Sequence, residues 1–341
     1  MSHRGLLLLN LGTPEGSDPQ SVGRYLNEFL MDPNVIDIPT IARWPLVNIL
    51  ITPKRKYASA EAYQSIWTDE GSPLLVNSLK LTEDLKSKIH EAKVELAMRY
   101  GNPSVRSALI RLRDNGVQEL SVFPLYPHYA MSSTLTALQK VKTELKSLGW
   151  DPKLRHYPSF YNNPEYIGVM ANNCEKLLSD GFEPDYYLMS YHGLPKRHLK
   201  RLNKGCEAGE CCDVSSERSA TCYRYQAYQT SKLLASQLGL SSDQYKTTFQ
   251  SRLGGGWIEP FTDVVLEELG KKGIKKLAVF SPSFASDCLE TLEEIQIRGS
   301  EIFQEAGGEE LRLVPSLNNE PQWTNAIMDI YHQEKGWVSG L

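Results

Sequence analysis

Three stretches carry side chains whose types and spacing could do chemistry. In Ser190-Tyr191-His192-Gly193-Leu194-Pro195 a histidine follows the apolar run 186–189 and precedes a glycine and a proline. The run suits a buried strand, which Gly193 ends by freeing φ and Pro195 by fixing it. His192 then stands at the carboxyl end of a strand, where open α/β sheets bind their ligands. An imidazole there can act as a base or a metal ligand near neutral pH; the plainer alternative is a histidine that bonds only its own turn. Further on, Asp287, Glu290 and Glu294 follow one another at three- and four-residue spacing. That spacing puts them on one face of a helix whose cap is Ser286 or Asp287. The helix dipole accounts for acids in a first turn, but Glu294 lies too far in. A line of carboxylates is better explained by cations or protons passing along it. Third, Phe249-Gln250-Ser251-Arg252 leads into Gly254-Gly255-Gly256 and Trp257. The glycines allow a ligand close to the backbone but do not form a dinucleotide fingerprint. Trp257 reads equally as a flat wall for a flat ligand and as a core tryptophan.

The elements that must position these groups alternate. A leucine run begins at Gly5 and stops at Gly12-Thr13-Pro14, the pattern of a parallel strand buried on both faces. Helices are expected at about 19–30 and 74–91, and after a cap at Ser132, Ser133 or Thr134. Strands are expected at 94–100, 120–123, 186–192, 246–251, 276–281 and 311–315. The turn Leu11-Gly12-Thr13-Pro14 resembles His192-Gly193-Leu194-Pro195. Gly116-Val117, Leu120, Val122-Phe123 and Thr134 match Gly273-Ile274, Leu277, Val279-Phe280 and Thr291 at one constant offset. Alternation with an internal repeat predicts an α/β chain of two doubly wound parallel-sheet lobes facing each other, divided as 1–155 and 156–341.

Composition narrows the function. At 341 residues the chain has room for such a pair. A net charge of -4 offers no basic field for nucleic acid, so no nucleic-acid partner is expected. No apolar run spans a bilayer and no signal peptide is evident, which points to the cytoplasm. The apolar stretch 41–51, with Trp44, is followed by Lys54-Arg55-Lys56. It reads as a lip (about 41–73) whose residues 41–56 touch an anionic membrane surface peripherally, or as an internal helix with a basic end. Four of the six cysteines, Cys206, Cys211, Cys212 and Cys222, share one polar loop at 206–222 with spacing C-x4-C-C-x9-C. Thiols so crowded imply a metal, as an iron–sulfur cluster or structural zinc. Cys174 and Cys288 read as packing.

In consistent order from about Gly5 to Tyr331, the strings Leu9-Asn10-Leu11-Gly12-Thr13-Pro14, Met98-Arg99-Tyr100, Ser190-Tyr191-His192-Gly193-Leu194-Pro195, Phe249-Gln250-Ser251-Arg252 with Trp257, and Asp287-x-x-Glu290-Thr291-Leu292 resemble the signatures of the ferrochelatase family. The resemblance implies a lyase that inserts Fe²⁺ into protoporphyrin IX in the last step of haem biosynthesis, held in a cleft between Rossmann-like lobes. It implies that His192 and Glu290 are the facing catalytic pair, supplied by opposite lobes, and that Asp287 and Glu294 join them as the metal path. It further implies that Asn10, Leu11, Arg99, Tyr100 and Trp257 line the porphyrin pocket, with Tyr126 on the metal-entry side. His192 suits the base that removes two pyrrole protons. Some relatives hold a [2Fe–2S] cluster, which favours that group for the four loop cysteines. Where relatives carry a glycine-rich string, this chain has Ile66-Trp67-Thr68-Asp69-Glu70-Gly71-Ser72-Pro73. Coproporphyrin as substrate, cobalt or nickel insertion into another tetrapyrrole, and a porphyrin carrier are the competing readings.

Overall fold

Nine strands carry the chain in a computed structural model that describes residues 3–203, 206, 215, 217–333 and 335–341. They are β1 (Arg4–Gly12), β2 (Ala92–Tyr100), β3 (Glu119–Pro124), β4 (Lys153–His156), β5 (Tyr186–His192), β6 (Tyr245–Gln250), β7 (Lys276–Phe280), β8 (Glu310–Leu313) and β9 (Val338–Ser339). One sheet runs β2-β1-β3-β4-β9 and the other β6-β5-β7-β8. All pairings are parallel except the short β4–β9 pair. The leading four strands of the first sheet and the four of the second therefore have the same order, so β1 answers β5, β2 answers β6 and β3 answers β7. This is the structural form of the repeat in the letters.

The leucines of β1 explain why that strand forms. Leu6, Leu7, Leu8 and Leu9 are wholly buried, because helices cover both faces of a parallel sheet. Each such side chain contributes roughly 1.5–3 kcal/mol when removed from water. In the second sheet Leu188, Leu277 and Val279 occupy the same kind of position, packed with Leu266, Ile295 and Phe303.

Chain contacts divide the molecule into two units. One comprises Met1–Tyr126, Met131–Ser159 and Thr324–Leu341; the other comprises Pro127–Ala130 and Phe160–Trp323. The sequence places 156–341 together, whereas the structure returns Thr324–Leu341 to the first unit. There Gly340 N donates to Leu154 O (2.8 Å) and Arg155 Nη2 to Tyr331 O (3.0 Å). β4 and β9 escape the sequence reading because they are short and polar, with no apolar run to mark them.

The stretch at 41–51 takes helical form, and one helical expectation, the cap after β3, is corrected. Residues 40–66 are helical throughout, as Thr40–Pro45, a π-helical Leu46–Ile51 and Thr52–Ile66. After β3 the turn Met131–Leu135 is also π-helical, so Ser132, Ser133 and Thr134 lie inside it and cap nothing. A π-helical stretch, Leu292–Gly299, likewise follows β7. Both units thus carry a widened helix after the third strand.

Candidate active site

His192 is the last residue of β5. Its neighbour strand β7 stops at Phe280, ahead of Pro282, so the backbone at His192 has lost its sheet partner on that side. Side chains replace it. His192 N–H donates to Ser283 Oγ (3.2 Å), and Tyr223 Oη–H donates to the His192 carbonyl (2.8 Å). Ser283 and Tyr223 also meet at 2.8 Å. Because the tyrosine proton goes to a carbonyl, which can only accept, Ser283 is the donor to Tyr223. The three groups close a hydrogen-bonded ring around the His192 backbone. Burial holds the Tyr223 phenol protonated.

The imidazole itself is set by one bond. Nδ1 lies 2.7 Å from Gly193 O. A carbonyl cannot donate, so Nδ1 carries a proton, and in the neutral imidazole Nε2 is the nitrogen with the lone pair. Gly193 is required for this turn: a Cβ there would lie 2.6 Å from Gln250 O and 3.4 Å from the Trp257 ring. Gly193 N donates to Gln250 O (2.7 Å), Ile258 N to Leu194 O (3.0 Å) and Lys196 N to Gly256 O (2.8 Å). The His192 turn is thereby fastened to the glycine loop, and Trp257 pairs with Pro195.

Glu290 lies in the short helix Leu289–Thr291 that follows β7. β5 and β7 are adjacent and parallel, so their carboxyl ends lie on one side of the sheet. His192 and Glu290 therefore both come from the second unit, which corrects the expectation that opposite lobes supply them. The helix cap is Cys288, not Ser286 or Asp287. Cys288 is buried, and its thiol is held protonated by that burial and then by the charge and hydrogen bond of Glu290. No sequence signal marked that contact.

The acidic row is rearranged. Asp287 precedes the helix and turns its carboxylate to Asn318 Nδ2 (2.7 Å), Thr291 Oγ1 (3.1 Å) and Ser316 N (3.3 Å). Glu294 accepts from Ser251 N (2.8 Å), Ser251 Oγ and Gln250 Nε2 (3.2 Å). Among the described residues no three His, Cys, Asp or Glu side chains are gathered as a metal-holding group. Asp287, Glu290, Glu294 and His192 thus form no preassembled chelate, because two of the carboxylates are occupied by donors.

The first unit holds Asn10, Leu11, Arg99, Tyr100 and Tyr126. Asn10 is buried and donates to Ser78 Oγ (3.0 Å). Leu11 and Arg99 are half-buried. Arg99 pairs with the buried Asp32 and donates Nε to Thr136 Oγ1 (2.8 Å). Tyr100 is fully buried, its hydroxyl donating to Asp32 Oδ2 (2.9 Å). Tyr100 also supports Arg99, whose guanidinium lies 4.3 Å from the centre of the Tyr100 ring. The Tyr126 hydroxyl is buried with no hydrogen-bond partner. Asp32 was invisible in the sequence, being one acid at a helix end. Burial pushes its carboxyl up, yet bonds from Thr136 and Asn34 N–H, the Arg99 charge and Tyr100 outweigh that and hold it below its ordinary value.

Of the loop cysteines, Cys206 and Cys222 are buried, and Cys211 and Cys212 lie outside the described residues. Asn203 and Thr221 join the two arms of the loop, Thr221 Oγ1 donating to Asn203 Oδ1 (3.2 Å) and Asn203 Nδ2 to Thr221 O (3.3 Å).

Known proteins resemble this chain along nearly its whole length. The ferrochelatase family profile matches residues 3–335. A ferrochelatase of Ectopseudomonas mendocina (strain ymp) is 47% identical over 335 residues, covering 96% of this chain and 97% of that protein. One of Legionella pneumophila (strain Lens) is 46% identical over 335 residues, covering 97% and 99%. Among solved structures, SirB from Bacillus subtilis with Fe3+ superposes with a TM-score of 0.55 at 11% identity, covering 96% of this chain and 93% of that one. That likeness establishes a chelatase fold. Matched along nearly its full length by sequence and carrying that fold, this chain belongs to the ferrochelatase family of metal-inserting lyases.

Proposed function

We propose that the protein inserts Fe²⁺ into protoporphyrin IX, with His192 and Glu290 as its catalytic residues. The observation that carries this reading is the Nδ1–H bond to Gly193 O, which makes Nε2 the basic nitrogen of the neutral ring. Insertion exchanges two pyrrole protons for the metal. His192 Nε2 takes the two protons one at a time, releasing the first to solvent before it accepts the second, and Glu290 supplies a carboxylate oxygen suited to Fe²⁺ as the substrate leaves its water shell. A cleft that favours a bent macrocycle would lower the barrier further. Arg99, Asn10, Leu11 and Trp257 are assigned to porphyrin contact, and Arg99 with its delocalised charge suits a porphyrin carboxylate. Asp287 and Glu294 would serve the metal only by giving up their present donors.

The test is anaerobic metallation of protoporphyrin and coproporphyrin with Fe²⁺ or Co²⁺. Protoporphyrin with Fe²⁺ should be the faster pair. His192→Ala should lower kcat by about 10²- to 10⁴-fold, the usual worth of a general base, while porphyrin binding, read by fluorescence, persists. Wild-type rates in His192→Ala would refute the assignment, and preference for coproporphyrin or cobalt would reassign the substrate.

Two further parts belong to this reading. Cys206, Cys211, Cys212 and Cys222 would bind a [2Fe–2S] cluster, supplying a cross-link between the arms of their loop. Anaerobically purified protein should then show charge-transfer absorption that is lost on Cys222→Ser. Ile41, 88% exposed, Trp44, Ile49, Leu50 and Tyr57 are exposed apolar residues of the helical segment that also exposes Lys54 and Arg55. No helix among the described residues is long and apolar enough to cross a membrane. A peripheral seat on an anionic surface at the cytoplasmic side fits that composition, and flotation with anionic vesicles tests it.

A further inference from the structure

Resting on the assignment of His192 as the base, we propose that Glu294 is a positioning residue. It holds Ser251 in a left-handed backbone conformation and thereby fixes the end of β6 against the His192–Gly193 turn.

Ser251 has φ 62°, and Asn318 is the other non-glycine with positive φ among the described residues. A serine pays for that conformation through its Cβ. Glu294 offsets the cost by receiving both the backbone N–H and the side-chain hydroxyl of Ser251 on its two oxygens. The second oxygen also receives Gln250 Nε2.

Gln250 is the hub this latch steadies. It is buried, and it faces His192 in the β5–β6 register. Its Oε1 accepts from Ser190 Oγ (2.7 Å), two residues before His192. Its Nε2 donates to the backbone carbonyl of Glu290 (2.7 Å). Its own carbonyl receives Gly193 N–H (2.7 Å), one residue after His192, and Gly193 O in turn holds His192 Nδ1–H. One glutamine thus touches the chain on both sides of the imidazole and the backbone that bears Glu290. If Ser251 left its conformation, the Gln250 carbonyl would turn and the imidazole would lose its fixed tautomer.

The test uses the full-length protein as Glu294→Ala, Glu294→Gln, Ser251→Gly and the double variant Glu294→Ala with Ser251→Gly. Glycine adopts positive φ without the latch. Glu294→Ala should lower kcat about 10- to 100-fold, as small misplacements do, with KM for Fe²⁺ changed less than about 2-fold. The double variant should recover at least about 5-fold of that loss. Glu294→Gln should fall between, since it keeps one acceptor oxygen but turns an N–H₂ toward Gln250. A KM for Fe²⁺ raised about 10-fold with kcat intact, and no rescue, would overturn the proposal in favour of metal contact. Rescue of Tm without rescue of kcat would overturn it in favour of mere stability. A second readout is independent of turnover. The ¹⁵N shifts of the His192 ring should report Nδ1–H in the wild type, a mixture in Glu294→Ala, and Nδ1–H again in the double variant. An inert wild type with this NMR pattern intact would sink the iron-insertion reading alone.

Discussion

At the scale of single residues, the site depends on atoms that cannot move. Gly193 follows β5 directly and Gly12 closes β1, each one residue after the matching His192 and Leu11. A Cβ at Gly12 would lie 1.9 Å from Tyr100 O, and Gly12 has φ 114°. At Gly193 the obstacle is Gln250 O at 2.6 Å. Both obstacles are backbone, so neither can yield cheaply. Gly193→Ala should cost about 1–3 kcal/mol of stability by overpacking. It should also slow metallation more than it weakens porphyrin binding, measured as kcat against Kd on the same preparation. Equal kcat in the variant would mean that the turn tolerates a shift of His192.

At the scale of elements, charge is placed where strands and helices end. β2 delivers Arg99 and Tyr100, the close of helix Pro19–Leu30 delivers Asp32, and the start of helix Thr136–Ser147 delivers Thr136. Asp32→Asn removes one partner of a buried pair and should destabilise by about 3–5 kcal/mol at pH 7. The carboxyl is held below its unfolded value, so its stabilisation is complete above that value and is lost as pH falls through the folded one. The gap between wild type and Asp32→Asn should therefore shrink as pH drops below about 4. Denaturant melts across pH measure this, and a gap independent of pH would show that the charge is not what stabilises. The Cys loop is coupled at this scale too: Cys222 directly precedes Tyr223, whose hydroxyl holds the His192 carbonyl.

At the scale of the whole molecule, the two units share a strand order and a widened helix after the third strand, yet only one carries the imidazole. Where β5 ends in His192, β1 offers Leu11 at the matching turn. The chain's last stretch closes the first unit, burying Ile327, Ile330 and Tyr331 and pairing β9 with β4. Deleting Thr324–Leu341 should therefore destabilise the first unit before the second. Proteolysis should cut near β4 while β5–β8 stay protected, and uniform loss of protection would contradict this division.

The sequence alone determined the parallel strands, the repeat, the His192 turn and the family, because buried strands need unbroken apolar runs and tight turns need glycine. Those demands are local, so they are written in consecutive letters. Only the tertiary structure decided the use of each polar side chain. Tyr100 proved to be a buried prop, Asp32 an unforeseen partner, Cys288 a neighbour of Glu290, and Asp287 and Glu294 acceptors for distant donors. A carboxylate's role depends on which N–H and O–H groups reach it, and most of those that reach Asp32, Asp287 and Glu294 lie about 30 to 100 residues away, where spacing in the letters carries no information.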